Sequence, residues 1–381
     1  MKVTHFDVFP VNAHWRTWVF VRLGTDNGLT GWGEATLVFG DAAVLGALED
    51  LREFVIGIDP LRIEDFWSTR FYRTIFHGPP FYSAVAAVEH ALWDLTGKWL
   101  GVPVYQLIGG ALRERIRLYA NTWFLGARTP DEYAERAHVV AAAGWDALKF
   151  DPLPGSLLAA SRQELRSAVD KVRAVREAVG PDVDVLVECH GRLSPESAIR
   201  FADAIVEYRP LWLEEPVPAH NPHATRKVRA QSRIPIATGE RLSTRWQYRE
   251  LLDLDAVDII QPDMTQVGGL LEAKRVADLA SLYGVQVAPH CPRGPIATAV
   301  GVHCALTTAN FLILEYPLDL GGVTWRQELV ESPEEIEAGH MHVPTAPGLG
   351  VELVESQLLK HRPEHLIREI PGYFEPEFTI A

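Results

Sequence analysis

The sequence predicts an α/β protein, a TIM-type barrel joined to an α+β capping domain that begins at the N-terminus and is completed by the C-terminal segment. Three observations predict it. From Arg117 onward, eight short apolar runs recur at nearly constant spacing with helical stretches between them, which is the rhythm of a closed barrel. Three consecutive runs end on a carboxylate, Glu188, Glu214 and Glu240, each 26 residues after the last. One strand, one helix and two short loops occupy about that length, so neighbouring strands would deliver three acids to one rim. Finally, residues 1–115 read as strands followed by helices, a pattern distinct from the alternation that comes after. The 381 residues suffice for a capping domain (1–115), a barrel (116–324) and a returning segment (325–381).

Taken in order, VTHFDVFPV, TWVFVRLGT and LTGWGEATL read as a three-strand meander, with TDNG at 25–28 as the hairpin signal. Helical periodicity follows at 41–57, ahead of Pro60, and at 63–76, ahead of HGPP. A third helix, 82–101, is apolar almost all round and suits burial between two layers. Barrel strands are expected near 117–121, 146–150, 184–189, 211–214, 235–239, 257–261, 285–289 and 311–315. The intervening GLLEAKRVADLASLYG is a helix that stops at Gly284. The segment from 325 is acidic and proline-rich, and is expected to pack back on the first domain.

Composition narrows the partners. A net charge of −14 and a pI near 5.5 argue against nucleic acid and against an anionic membrane surface. Cys189, Cys291 and Cys304 are odd in number and unpatterned, so neither disulfides nor zinc are indicated. With no apolar signal core at the start and no run of 18 apolar residues, the reading is a cytoplasmic protein.

The centre of the chain is DVLVECHGR, 184–192, an apolar run that stops on Glu188, Cys189 and His190. Alternation along a strand puts Glu188 and His190 on one side of the pleat, at the C-terminal mouth where α/β barrels keep their chemistry. Three carboxylates brought together repel one another by several kcal/mol unless a cation fills the gap. An all-oxygen set suits Mg²⁺, which keeps positions open for water or substrate oxygens. The plainer alternative is three unrelated strand-end acids pairing with Arg192, Arg241 or Arg245; the equal spacing and shared strand-end context weigh against it.

Several longer stretches share one further pattern: GWGEA (31–35), ALWDLTGKWLGVPVYQLIGG (91–110), CHGR (189–192), EEPV (214–217), GER (239–241), QPD (261–263), PHCPRGPIATA (289–299) and PGLGVE (347–352). With these motifs the chain resembles the enolase superfamily, within it the acid-sugar dehydratases of the mandelate racemase group. The resemblance implies a modified (β/α)7β barrel and one Mg²⁺ per subunit on Glu188, Glu214 and Glu240. It implies His190 and His290 as the proton-transfer pair, Asp263 orienting His290, and a small sugar acid, such as galactonate or gluconate, as substrate. It also implies a homo-oligomer, a dimer or an octamer. The residues themselves agree: Asp263 and His290 end neighbouring strands, so the carboxylate can fix the imidazole tautomer and raise its basicity. Lys149 at the end of the second strand can add positive charge, and Glu315 at the end of the eighth could donate a hydrogen bond if protonated. Arg192 is a further candidate for the substrate, and His303 is assigned to packing. Lid loops are expected from AHWRTW (13–18) and FHGPPFY (76–82), contributing His14, Arg16 and His77 to a polyol chain.

Two departures from the family pattern matter. The first metal ligand is usually Asp, and Glu188 is one methylene longer, so it must shift the metal or fold back. Racemases usually carry Lys-X-Lys after the second strand, whereas this chain has Lys149, Phe150, Asp151, which favours β-elimination by a histidine pair. Epimerisation, cycloisomerisation of an anhydro-sugar acid, and sugar-acid or metal binding without turnover stay open as alternatives.

Overall fold

The computed structural model describes residues 1–366 except 15, 76, 154–157, 159 and 319–322. Trp15 and Phe76 of the two lid stretches, and 367–381 of the C-terminal segment, therefore lie outside the described residues.

The meander is present as β1 (Val3–Ala13), β2 (Arg16–Thr25) and β3 (Thr30–Glu34), antiparallel and in that order. Its apolar face is covered by α1 (Asp41–Val55), α2 (Ile63–Arg73) and α3 (Pro79–Leu100), around Val19, Val21, Leu48, Trp67 and Leu92. Helix α3 starts three residues before the periodicity suggests, because proline is tolerated in a first helical turn, and Gly101 ends it in the left-handed region at φ 72°. It lies so close to β3 that a Cβ at Gly33 would overlap the Ala87 carbonyl oxygen.

After a short α4 (Val104–Leu107), eight parallel strands alternate with seven helices. The strands are β4 (Arg115–Asn121), β5 (Ala147–Phe150), β6 (Asp184–Glu188), β7 (Trp212–Glu214), β8 (Ile236–Thr238), β9 (Ile259–Ile260), β10 (Gln286–Val287) and β11 (Leu314–Pro317). The helices are α5 (Pro130–Ala142), α6 (Arg162–Val179), α7 (Pro195–Ile205), α8 (Pro222–Arg229), α9 (Thr244–Asp253), α10 (Leu270–Ser281) and α11 (Pro295–Thr307). Neighbours pair in sequence order from β4 to β10, and β11 returns to β4 with Leu314 opposite Leu118. A bridge between Val287 and Phe311 closes the ring, giving the (β/α)7β barrel. Strands β9 and β10 are shorter than expected at both ends; at their C-terminal ends Pro262 and Pro289 follow, which have no N–H to give a ladder.

One residue in, or directly adjoining, each barrel strand fills the interior: Tyr119, Ala147, Leu186, Trp212, Ala237, Ile259, Ala288 and Ile313. This plug sets the position of everything above it. Since strand side chains repeat every two residues, Asn121, Lys149, Glu188, Glu214, His290 and Glu315 follow plug residues by two and share the inward face one layer higher.

The C-terminal segment does more than return to the first domain. Its hairpin β12 (Ile336–Glu337) and β13 (His340–His342) pairs antiparallel with the start of β4, Met341 opposite Ile116, at the mouth away from the carboxylates. Helix α12 (Glu355–Lys360) then reaches β1, where Asn12 N–H donates to the His361 carbonyl at 2.7 Å. Among the described residues, no helix is long and apolar enough to cross a membrane.

Candidate active site

Glu188, Glu214 and Glu240 converge, with one oxygen from each within 4.8 Å of the others, and all three are buried. The extra methylene of Glu188 is folded back: Oε1 accepts the N–H of Cys189 at 2.9 Å and of His190 at 2.5 Å. Those bonds fix the carboxylate against its own backbone and turn Oε2 into the cluster. There Oε2 is buried without a hydrogen-bond partner among the described residues, Lys149 Nζ standing 3.5 Å away. A buried oxygen left unsatisfied is costly, so an all-oxygen triad holding one fits a hard divalent cation. Burial, opposed by Lys149 and helped by repulsion from Glu240 and Glu215, pushes the Glu188 carboxyl up to about 7, and burial and Glu188 push Glu214 well above the usual range. Glu240 goes the other way, to about 2, because His290, Arg241 and Lys149 more than offset its burial.

On one flank stands His290. Its Nδ1 meets Asp263 Oδ2 at 2.7 Å, and its Nε2 faces the triad, 3.2 Å from Glu240 Oε2. Asp263 is held from every side: Arg293 Nε donates to Oδ2 at 3.0 Å, and the N–H and hydroxyl of Thr265 donate to Oδ1 at 2.7 Å each. Burial works against its charge, but Arg293 and His290 outweigh it and keep the carboxylate far below its ordinary range. The imidazole in turn is raised: burial lowers it, and Glu240, Glu315 and Asp263 together prevail. The expected pairing of Asp263 with His290 is thus what the strand ends build, through a parallel bridge between the two residues.

Across the barrel, His190 sits past the end of β6 with a left-handed backbone, φ 47°. Its Nδ1 meets Asp151 Oδ2 at 2.7 Å, and Arg192 forms an ion pair with the same carboxylate oxygen. In the sequence Asp151 stands out only as a departure from Lys-X-Lys. Period two from the inward-facing Lys149 is the signal that would have placed it at the site. Arg192, expected to meet substrate, is buried, bonds the Cys189 carbonyl at 3.1 Å and is absent from the cavity wall.

Lys149 lies inside the cluster, 2.6 Å from Glu214, 3.3 Å from Glu315 and 3.5 Å from Glu188. Glu315 does not have the surroundings of a hydrogen-bond donor. Its Oε1 accepts from Asn121 Nδ2 and its Oε2 from Cys291 N–H at 2.8 Å, and although burial opposes its charge, Lys149 and His290 hold the carboxyl below its usual range. His303 is a packing residue as expected: Nδ1 accepts from Tyr105 N–H, Nε2 donates to the Leu349 carbonyl, and burial lowers it to about 4.

A cavity of about 280 Å³ opens above these groups. Its wall includes His190, His290, Lys149, Glu188 and Glu240, with Arg16, Asn121, Gln266, Arg241 and Arg293 as further polar groups. Leu37, Val38 and Phe39 of the β3–α1 loop, with Phe124 and Leu125 after β4, supply an apolar side that the sequence did not signal, since loops carry no period. Of the three lid residues, Arg16 lines the cavity, buried and donating to the Pro292 carbonyl. His14 and His77 are exposed and do not line it. The His77 ring stacks on Phe81 at 5.2 Å, and its Nε2 lies 2.9 Å from the Thr74 carbonyl.

The chain is similar to known proteins in sequence and in fold. Residues 132–357 match the family described as "Enolase C-terminal domain-like", and residues 9–109 match the "Mandelate racemase / muconate lactonizing enzyme, N-terminal domain". The chain is 37% identical to D-gluconate dehydratase of Thermoproteus tenax, across 97% of this chain and 74% of that protein. It is 35% identical to D-galactonate dehydratase of Ralstonia nicotianae, across 100% and 98% of the two chains. The fold superposes on a member of the enolase superfamily from Salmonella Typhimurium with a TM-score of 0.90 at 33% identity, covering 95% of this chain and 98% of the other.

Proposed function

The chain belongs to the mandelate racemase and muconate lactonizing enzyme group of the enolase superfamily, and from that premise we propose that it dehydrates an aldonate, such as galactonate or gluconate, with Mg²⁺ as cofactor. The observation that carries this reading is a pair of histidines on the third and seventh barrel strands, diametrically opposed in an eight-strand ring, each with Nδ1 on an aspartate and with the carboxylate triad between them.

Glu188, Glu214 and Glu240 would hold the cation. Bound there, Mg²⁺ would supply Lewis-acid stabilisation of the charge that develops on the substrate carboxylate when its α-proton leaves. His290 takes the C2 proton, its Nδ1–H committed to Asp263 so that Nε2 presents the lone pair. Lys149 adds a fixed positive charge beside the developing enolate. His190, from the other side, protonates the C3 hydroxyl as it departs. The C2–H and C3–O bonds break, water leaves, and the enol tautomerises to a 2-keto-3-deoxy acid.

Proton NMR in D₂O of the purified protein with Mg²⁺ and a panel of aldonic and aldaric acids tests this. Dehydration gives a new CH₂ carbon that carries one deuteron. C2 inversion without that carbon would make the protein an epimerase, and saturable binding with neither change would make it a binding protein.

A further inference from the structure

The two histidines are mounted in the same way, and only one of the mounts is anticipated by the motifs. His290 rests on Asp263, which rests on Arg293. His190 rests on Asp151, which rests on Arg192. We propose that Asp151, locked by Arg192, is the positioning residue of His190: it holds the ring with Nδ1–H inward and Nε2 toward the cavity, where the leaving hydroxyl is to be protonated. The inference rests on the dehydratase reading above for its consequence, though not for its geometry.

The local structure makes Asp151 rigid. It follows β5 by one residue, its Oδ1 accepts the Leu153 N–H at 2.9 Å, and its backbone carbonyl receives the Tyr133 hydroxyl at 3.0 Å. Oδ2 faces both His190 Nδ1 and Arg192. Arg192 is braced through Nε on the Cys189 carbonyl, so the guanidinium ties the strand end that carries Asp151 to the strand end that carries His190. Burial raises the Asp151 carboxyl, but Arg192 and His190 outweigh it, and the group stays ionised and acceptor-only. His190 lies past the end of its strand in the left-handed region; the bonds from Cys189 N–H to the Glu214 carbonyl at 3.0 Å and from Gly191 N–H to the Glu215 carbonyl at 2.7 Å hold the backbone there, which leaves the ring itself to be held by Asp151. A histidine with one ring nitrogen committed to a carboxylate has its tautomer and orientation set by that bond.

Two measurements test the assignment. The first needs no substrate. Long-range ¹H–¹⁵N correlation of histidine-labelled protein at mildly alkaline pH, where an ordinary imidazole is neutral, reads the tautomer of His190, assigned by its loss in His190→Gln. The Nδ1–H tautomer is expected; an Nε2–H tautomer in the unmodified protein would overturn the proposal, whether or not any variant folds. The second compares Asp151→Asn with the parent on the aldonate identified by NMR. Dehydration should fall by about 10²-fold, the usual effect of losing a residue that orients a catalytic imidazole, while exchange of the C2 proton with D₂O is retained. Mn²⁺ binding followed by electron paramagnetic resonance should be unaltered. Dehydration and exchange falling in parallel, or dehydration undiminished, would overturn the proposal. A parent enzyme that neither exchanges nor dehydrates any aldonate would instead refute the dehydratase reading and leave the tautomer measurement to decide the mount.

Discussion

Two imidazoles with matching carboxylates are proposed to perform opposite tasks, and the difference has to come from what each faces. His290 is buried, and its free edge points at Glu240, so its lone pair lies beside the metal triad, where an α-proton would be acidified. His190 is the more open of the two, its side chain 29% exposed, as suits a group that must exchange its proton with solvent between turnovers. His290→Asn should abolish both dehydration and C2 exchange, because His290 Nε2 is the group proposed to take the C2 proton. His190→Asn should lose dehydration by about 10²-fold or more yet keep C2 exchange. Exchange lost in His190→Asn and kept in His290→Asn would reverse the roles. The same scale separates the lid candidates. Arg16→Ala should lower kcat/KM for the true substrate, since Arg16 lines the cavity, and His77→Ala should not, since that ring is engaged by Phe81. Steady-state kinetics of the two variants checks this. The strand-end acids and histidines were readable from sequence because strand alternation converts position into direction. Period two from Lys149 puts Asp151 on the inward face, but its pairing with His190 and Arg192 is a contact between strand ends, which no period encodes.

Three buried carboxylates dock the N-terminal unit onto the rest of the chain, and each does so on backbone N–H groups. Glu34, the last residue of β3, accepts from Gly294 at 2.8 Å and Ala297 at 2.9 Å, in the first turn of α11. Glu89 of α3 accepts from Leu270 and Leu271 at 2.8 and 2.9 Å, at the start of α10. Asp94 accepts from Leu349 of the C-terminal segment at 2.8 Å and, within the N-terminal unit, from Trp32 of β3 at 3.0 Å. Neither α10 nor α11 has a side-chain cap of its own, Gly269 and Gly294 standing at the cap positions, so the first domain supplies the acceptors and the favourable charge at each helix start. Removing either glutamate should cost about 1–3 kcal/mol, the penalty for leaving buried donors unpaired. Glu34 also precedes the Leu37–Phe39 loop that walls the cavity, and Glu89 does not. Both Glu34→Ala and Glu89→Ala should therefore lower Tm, but only Glu34→Ala should raise KM as well; thermal unfolding alongside kinetics distinguishes them. The elements themselves were legible from sequence, since periods of 2 and 3.6 mark strands and helices. These docking points were not, because a buried Glu in an apolar helix looks the same in sequence whichever donors it meets.

At the scale of the whole molecule, the protein carries a net charge of −14 and is proposed to bind an anion, so attraction must be generated locally. Lys149, Arg16, Arg241 and Arg293 at the cavity provide part of it, but Lys149 and Arg293 are already paired with acids, as is Arg241 with Glu215 at 2.7 Å. The rest would fall to the proposed cation on the triad, and the triad's own titration would then govern when that cation can bind. Glu188 is raised to about 7 and Glu214 well above its usual range, whereas Glu240 stays ionised down to about 2. Carboxylates must be deprotonated to coordinate, so below about pH 7 the cation has to displace protons that the buried cluster retains. The sign follows: affinity for Mg²⁺ or Mn²⁺ should rise with pH through neutrality, and binding should release protons most strongly on the acid side. Titration calorimetry of Mn²⁺ into the protein at about pH 6 and about pH 8, in buffers of unlike ionisation enthalpy, measures both quantities. Affinity that is flat across this range with no proton release would mean that the triad is already ionised without the cation, and that Lys149 alone balances it.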